Sequence, residues 1–266
     1  MKREVRRSPG LAFLYGAPIG LLGGLIGLGG AEFRLPVLAG VFGYAARRAV
    51  ALNLAISLIT IISALLIRAG TLSLAPVISF FGVALAMIAG AVCAAYIGVG
   101  LVHRIDERLL ERMILVLLLV IGAALIIEAF LPGEVPALLP DSAFVRLVAA
   151  VLFGVAIGLV SSLLGVAGGE LIIPTLVFAF GADVRTAGTL SLLISLPTVA
   201  VGVTRHARLG SFEERQDLSR TVAPMGAGSV VGAVAGGLLV GLAPESALKL
   251  ILGVILIVSA IRIFRH

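Results

Sequence analysis

Residues 113–127 read MILVLLLVIGAALII, a run without one polar side chain. Apolar runs of around 20 residues recur along the whole chain, each long enough to cross a hydrocarbon core of about 30 Å. At that depth no water completes the backbone hydrogen bonds, so only helices and closed barrels are stable. A barrel strand alternates apolar and polar residues, which these runs do not. Composition agrees: 60% of the 266 residues are hydrophobic and 13% charged, against about 25% charged in a soluble domain. The chain therefore predicts an all-α polytopic membrane protein with no separate soluble domain.

Several functions are excluded early. The formal charge of +6 is almost all arginine, as expected of loops that follow the positive-inside rule. No connection is long enough to display a basic face, so nucleic acid is not expected as a partner. The single cysteine, Cys93, lies in an apolar run and excludes an internal disulfide. There is no Gly-x-Ser-x-Gly elbow, no His-Glu-x-x-His and no metal-ligand cluster. No catalytic residue, metal or cofactor is expected, and the protein is not expected to be an enzyme. The start, MKREVRRSPG, resembles a signal n-region, but the apolar run after it lacks a small-residue cleavage pattern. It reads as an uncleaved first helix with its start in the cytoplasm.

The chain is a duplication. A shift of 138 residues carries Gly16, Gly20, Gly27, Gly30, Glu32 and Pro36 onto Gly154, Gly158, Gly165, Gly168, Glu170 and Pro174. The same shift takes Arg47 to Arg185, Gly90, Ala94 and Gly98 to Gly228, Gly232 and Gly236, and Glu107 to Glu245. Only 66–82 against 204–220 aligns poorly. Residues 1–138 and 139–266 are thus expected to be two membrane repeats. Basic residues mark the N-terminus (Lys2, Arg3, Arg6, Arg7), Arg47–Arg48, 103–112, 205–220 and the end (Arg262, Arg265), whereas Glu128, Glu134 and Asp141 make 128–141 acidic. All the basic connections fall inside only if the Gly-rich segment turns back, with 11–28 and 31–43 as a hairpin. Each half then crosses an odd number of times, and the second is inverted. The expected fold is two inverted-topology repeats, each a Gly-broken helical hairpin plus three transmembrane helices: 46–67, 77–101 and 109–130, with 184–204, 220–242 and 246–263 as their copies.

Non-helical backbone in a membrane must be buried in protein or line a wet cavity, and matched broken helices in inverted halves point to a central binding site. The breaks at Gly29–Gly30 and Gly168–Gly169 leave N–H groups of Gly30, Ala31, Glu32, Gly168, Gly169 and Glu170 free to meet an anion; close packing alone is the bland alternative. Packing does account for Gly16, Gly20 and Gly24, and for Gly228, Gly232 and Gly236. Asn53, Ser57 and Thr60 share one helix face, as do Ser191, Ser195 and Thr198. They line a substrate path or make interhelical hydrogen bonds. Glu32 and Glu170 are costly in a membrane and are candidate coupling groups, or else carboxylates that satisfy a helix dipole. Arg34, which has Ile172 at its copied position, is an anion's counter-charge or a snorkelling surface arginine. Arg47 and Arg185 are gate or packing candidates, with Asp183 as a local ion-pair partner for Arg185. His206 and Arg208 are expected in a solvated loop.

GLGGAEFRLP (Gly27 to Pro36) and GVAGGELIIP (Gly165 to Pro174) resemble the repeated glycine-rich motif of the TauE/SafE sulfite-exporter family, each with one glycine changed to alanine, at Ala31 and Ala167. AVALNL from Ala49 and AGTLSL from Ala187 resemble its next pattern only loosely, while APMGAGSVVGAVAGG and LKLILGVILIVSAIRI resemble its last two helices. The resemblance implies a secondary transporter of sulfite, an organosulfonate or a related organic anion in a prokaryotic plasma membrane, with both termini cytoplasmic. Alternating access around the two hairpins, with proton or sodium coupling, is the expected mechanism; a passive anion channel is the alternative. The lipid bilayer and the small anion are the expected partners, and a homodimer is compatible with the pattern.

Overall fold

The computed structural model describes residues 8–26, 29–71, 75–130 and 137–239, and, in the last helix, residues 246, 250, 253, 254, 256–258, 260 and 261. Gly27, the terminal basic residues, Glu134 and Glu245 lie outside the described residues. Described elements are α1 (Pro9–Ile26), α2 (Ala31–Pro36), α3 (Ala46–Thr71), α4 (Ala75–Ser79), α5 (Phe81–Val102), α6 (Glu107–Glu128), α7 (Ala143–Leu164), α8 (Gly169–Pro174), α9 (Val184–Arg208), α10 (Arg215–Asp217) and α11 (Ala223–Leu238). No strand occurs among the described residues. Among the described residues, six helical spans are long and apolar enough to cross a membrane. The chain is a polytopic helical membrane protein.

The 138-residue shift carries α2 onto α8, and it carries the π-helical turn Val37–Val41 onto Thr175–Ala179. A proline ends each short helix, Pro36 and Pro174. A proline has no N–H and its ring crowds the carbonyl four residues back. The ladder widens directly after it into the i→i+5 spacing seen from Phe42 N to the Val37 carbonyl, 3.0 Å. Several expected boundaries moved, and α3 runs to Thr71 where 67 was expected. The helix expected over 77–101 is interrupted at Phe80, with Pro76 opening the short α4. The helix expected to stop at 204 continues to Arg208.

Glycines decide which helices touch. A Cβ on Gly16 or Gly20 would strike the carbonyls of Met225 and Ser229, and one on Gly24 would stand 2.6 Å from that of Ala233. In return, Gly228, Gly232 and Gly236 face the carbonyls of Phe13, Ala17 and Leu21. The two registers rise together, so α1 and α11 run parallel. By the same logic α5 and α7 are parallel, with Gly154 and Gly158 against the Met87 and Ala91 carbonyls. Lipid tails are as apolar as leucine, so such close backbone contact, rather than hydrophobic burial, holds helices together here. Each hairpin's first arm therefore packs on a helix of the other half, and α3 and α9 pack against each other between these pairs.

The bundle has two distinct ends. At one, Arg47 Nη2 donates to the Ile105 carbonyl (2.8 Å), and its backbone N–H donates to Glu107 (3.0 Å). There Arg48 pairs with Asp217 at 2.7 Å and Glu214 at 3.2 Å, and Tyr44 donates to Asp217. At the other end, Arg146 bonds Asp141 and the Phe180 carbonyl, and the Leu138 N–H bonds the Phe178 carbonyl. Helix α3 begins at the first end and α9 at the second.

Candidate functional site

The two hairpin breaks meet inside the bundle. Gly30 (φ 66°) and Gly168 (φ 83°) occupy matching positions just before α2 and α8. Both are left-handed, a conformation that costs any residue with a Cβ about 1–2 kcal/mol. At the first break, a Cβ on Gly29 would lie 2.9 Å from the Cβ of Ala167 in the second.

Asn53 fastens the two breaks together. Its Nδ2 donates to the Ala31 carbonyl and to the Gly165 carbonyl, 2.7 Å each. Both amide hydrogens are thereby used, one on each hairpin. Its Oδ1 accepts from Arg34 Nε at 3.1 Å.

Arg34 is fully buried, with 0% of its surface exposed. Its Nη1 donates to Thr60 Oγ1 (3.3 Å), and its Nη2 donates to Ser57 Oγ (2.7 Å) and to the Gly29 carbonyl (2.8 Å). Ser57 and Thr60 donate in turn to carbonyls one helical turn back, those of Asn53 and Ile56. The stripe Asn53–Ser57–Thr60 is thus a cradle for a guanidinium. A snorkelling surface arginine is ruled out by this burial.

Glu32 and Glu170 stand beside this charge, 0% and 7% exposed. Their carboxyl groups lie within hydrogen-bonding reach of each other, one from each hairpin, and both act electrostatically on Arg34. None of their four oxygens accepts a well-directed hydrogen bond from another side chain. Ser191 and Ser195, also buried, have no partner for their hydroxyls. Thr198, the third residue of that stripe, donates to the Ile194 carbonyl at 2.9 Å. Unsatisfied buried polar groups cost free energy, and in a membrane they mark functional positions.

The remaining candidates are not at this centre. Arg47 is tied to the α5–α6 connection. Arg185 is exposed at the start of α9. Asp183 caps that helix by accepting from the Thr186 N–H at 3.0 Å. Burial pushes the Asp183 carboxyl up, but bonds from Thr186 and from the Arg185 backbone outweigh it and hold the group below the usual range. His206 is a correction: it is fully buried in α9, its Nδ1 3.1 Å from Ser211 Oγ and its ring 5.8 Å from that of His103, because the helix runs a turn further than expected. Arg208 is exposed at the end of α9. Among the described residues, two buried charged groups were not expected from the sequence. Arg68 donates to Thr189 Oγ1 at 3.2 Å, and Asp217 joins Arg48 and Tyr44. Both lie in or beside the stretch where the two halves align poorly, so no copied partner flagged them. Among the described residues no group of three or more His, Cys, Asp and Glu could hold a metal ion.

Membrane-spanning helices with two breaks that bring buried ionisable residues to one point define a polytopic membrane transport protein. The sequence adds the particular lineage. The chain belongs to the sulfite exporter TauE/SafE family, whose family model matches residues 1–125 and 150–266. That membership makes it a membrane transporter of sulfite or a related anion. No curated protein and no solved structure matches the chain.

Proposed function

We propose that this protein is a secondary transporter of a small sulfur-containing or organic anion, sulfite and organosulfonates first among them, in a prokaryotic plasma membrane. The observation that carries the reading is the closed polar centre. Arg34 supplies a fixed positive charge where two hairpin breaks meet, and Glu32 and Glu170 face each other beside it. The anion meets Arg34 and the backbone of Gly29, Gly30, Ala31, Gly168 and Gly169. Asn53 and Ser57 act through Arg34 by holding its guanidinium. Glu32 and Glu170 couple the anion to a proton or sodium ion.

On this reading, residues 1–138 and 139–266 are inverted copies. Helices α3 and α9 starting at opposite ends, and parallel packing of α1 on α11 and of α5 on α7, support it. The centre is buried from water, as alternating access requires of its occluded state. The π-helical turns after Pro36 and Pro174 provide give: a shift between i→i+5 and i→i+4 spacing moves a break while its outer end stays fixed. Both termini are cytoplasmic in this scheme.

Purified protein in proteoliposomes tests it. Radiolabelled sulfite or a sulfonate should accumulate against its gradient when a proton or sodium gradient is imposed, and Glu32→Gln with Glu170→Gln should abolish that accumulation. Downhill flux that ignores both gradients and survives the double substitution would make the protein a passive channel.

A further inference from the structure

The centre is asymmetric, and what it lacks is one positive charge. In the first half, four oxygens receive the Arg34 guanidinium: Asn53 Oδ1, Ser57 Oγ, Thr60 Oγ1 and the Gly29 carbonyl. The 138-residue shift places Ser191, Ser195, Thr198 and Ala167 at the same four positions, and Ile172 where the arginine stands. The second cradle keeps its oxygens and has no cation of its own. Ser191 and Ser195 are 1% and 2% exposed with unpartnered hydroxyls. Helix α9, which carries them, packs on α8, which carries Glu170.

The charges give the same answer. Two carboxylates from Glu32 and Glu170 face one guanidinium, and none of the four carboxyl oxygens accepts a well-directed bond from a side chain. Fully ionised, the centre carries one uncompensated negative charge, which a low-dielectric interior disfavours.

We propose that the vacant second cradle binds one sodium ion, held by the Ser191 and Ser195 hydroxyls and the Glu32–Glu170 carboxylates, and that this ion accompanies the transported anion. A hard cation takes several oxygens at once. A single shared proton would bridge the two carboxyls and leave both serines unsatisfied. A divalent ion would overshoot the deficit. With sodium bound the centre is neutral, so an arriving anion no longer meets net negative charge.

This rests on the transporter reading and names its coupling ion. Binding is therefore measured with no anion present, on detergent-purified protein. Radioactive sodium should bind saturably at about neutral pH, with choline as the inert replacement. Ser191→Ala with Ser195→Ala should weaken binding at least tenfold. Ile172→Arg, which supplies the missing guanidinium, should abolish it; size-exclusion profiles show whether that variant folds, and the serine pair decides if it does not. Absence of sodium binding, binding unchanged in the serine pair, or stabilisation by acid in place of sodium overturns the proposal. Anion flux without sodium binding would sink this inference alone. Sodium binding without any anion flux would leave the site standing and sink the transporter reading.

Discussion

Replacing Arg34 with methionine keeps much of the side-chain volume and removes a buried cation placed beside Glu32 and Glu170. Four hydrogen bonds disappear, to Asn53, Ser57, Thr60 and the Gly29 carbonyl. Ser57 and Thr60 keep their bonds to α3 carbonyls, so the dominant loss is charge compensation. Removing one partner from a buried charged arrangement costs about 3–5 kcal/mol. At about 2–4 °C per kcal/mol, the melting temperature should fall by roughly 6–20 °C. A surface arginine would contribute about 0–1 kcal/mol and a correspondingly small shift. The assay is thermal unfolding in detergent, followed by loss of the monodisperse size-exclusion peak. If the cost is electrostatic, adding Glu32→Gln should restore part of it. The reasoning fails if Arg34→Met melts within about 2 °C of the parent, less than 1 kcal/mol on that scale, or if Glu32→Gln deepens the loss instead of relieving it.

Helix packing and capping give two further tests. Gly20→Leu forces a side chain into the Ser229 backbone and should destabilise by about 1–3 kcal/mol or more. Gly70→Ala, with nothing within 4 Å of the new Cβ, should be neutral or slightly stabilising; similar melting of the two variants would contradict the close-contact account. Asp183→Ala removes the cap of α9 and should cost about 1 kcal/mol at neutral pH. The folded Asp183 carboxyl titrates below its ordinary value, so its contribution is complete above the unfolded value of about 3.9. It is lost as pH falls through the folded value. The gap between parent and Asp183→Ala should accordingly close in acid, and a gap unchanged to about pH 2, well below the unfolded value, would refute this.

Much of the fold was legible because its signals are local or periodic. Apolar runs without alternation demand helices in lipid, and Gly29–Gly30 and Gly168–Gly169, each followed by a charge and a proline, mark where helices break. The spacing of Gly16, Gly20 and Gly24 announces close packing; that the partner is α11 of the other half is a pairing across more than 200 residues, with Met225, Ser229 and Ala233. His206 was misplaced because nothing local distinguishes the last turn of α9 from a loop.

The candidate site divides the same way. Residue identities and the 138-residue register determine that Glu32 and Glu170 are equivalent, that Asn53, Ser57 and Thr60 share a face, and that Arg34 has no copy. Only the tertiary structure decides that the stripe receives Arg34, that Asn53 binds both hairpins, and that the two carboxyls meet. Which groups satisfy a buried charge depends on the helices that arrive from the rest of the chain, and that is a property of packing rather than of spacing along the sequence.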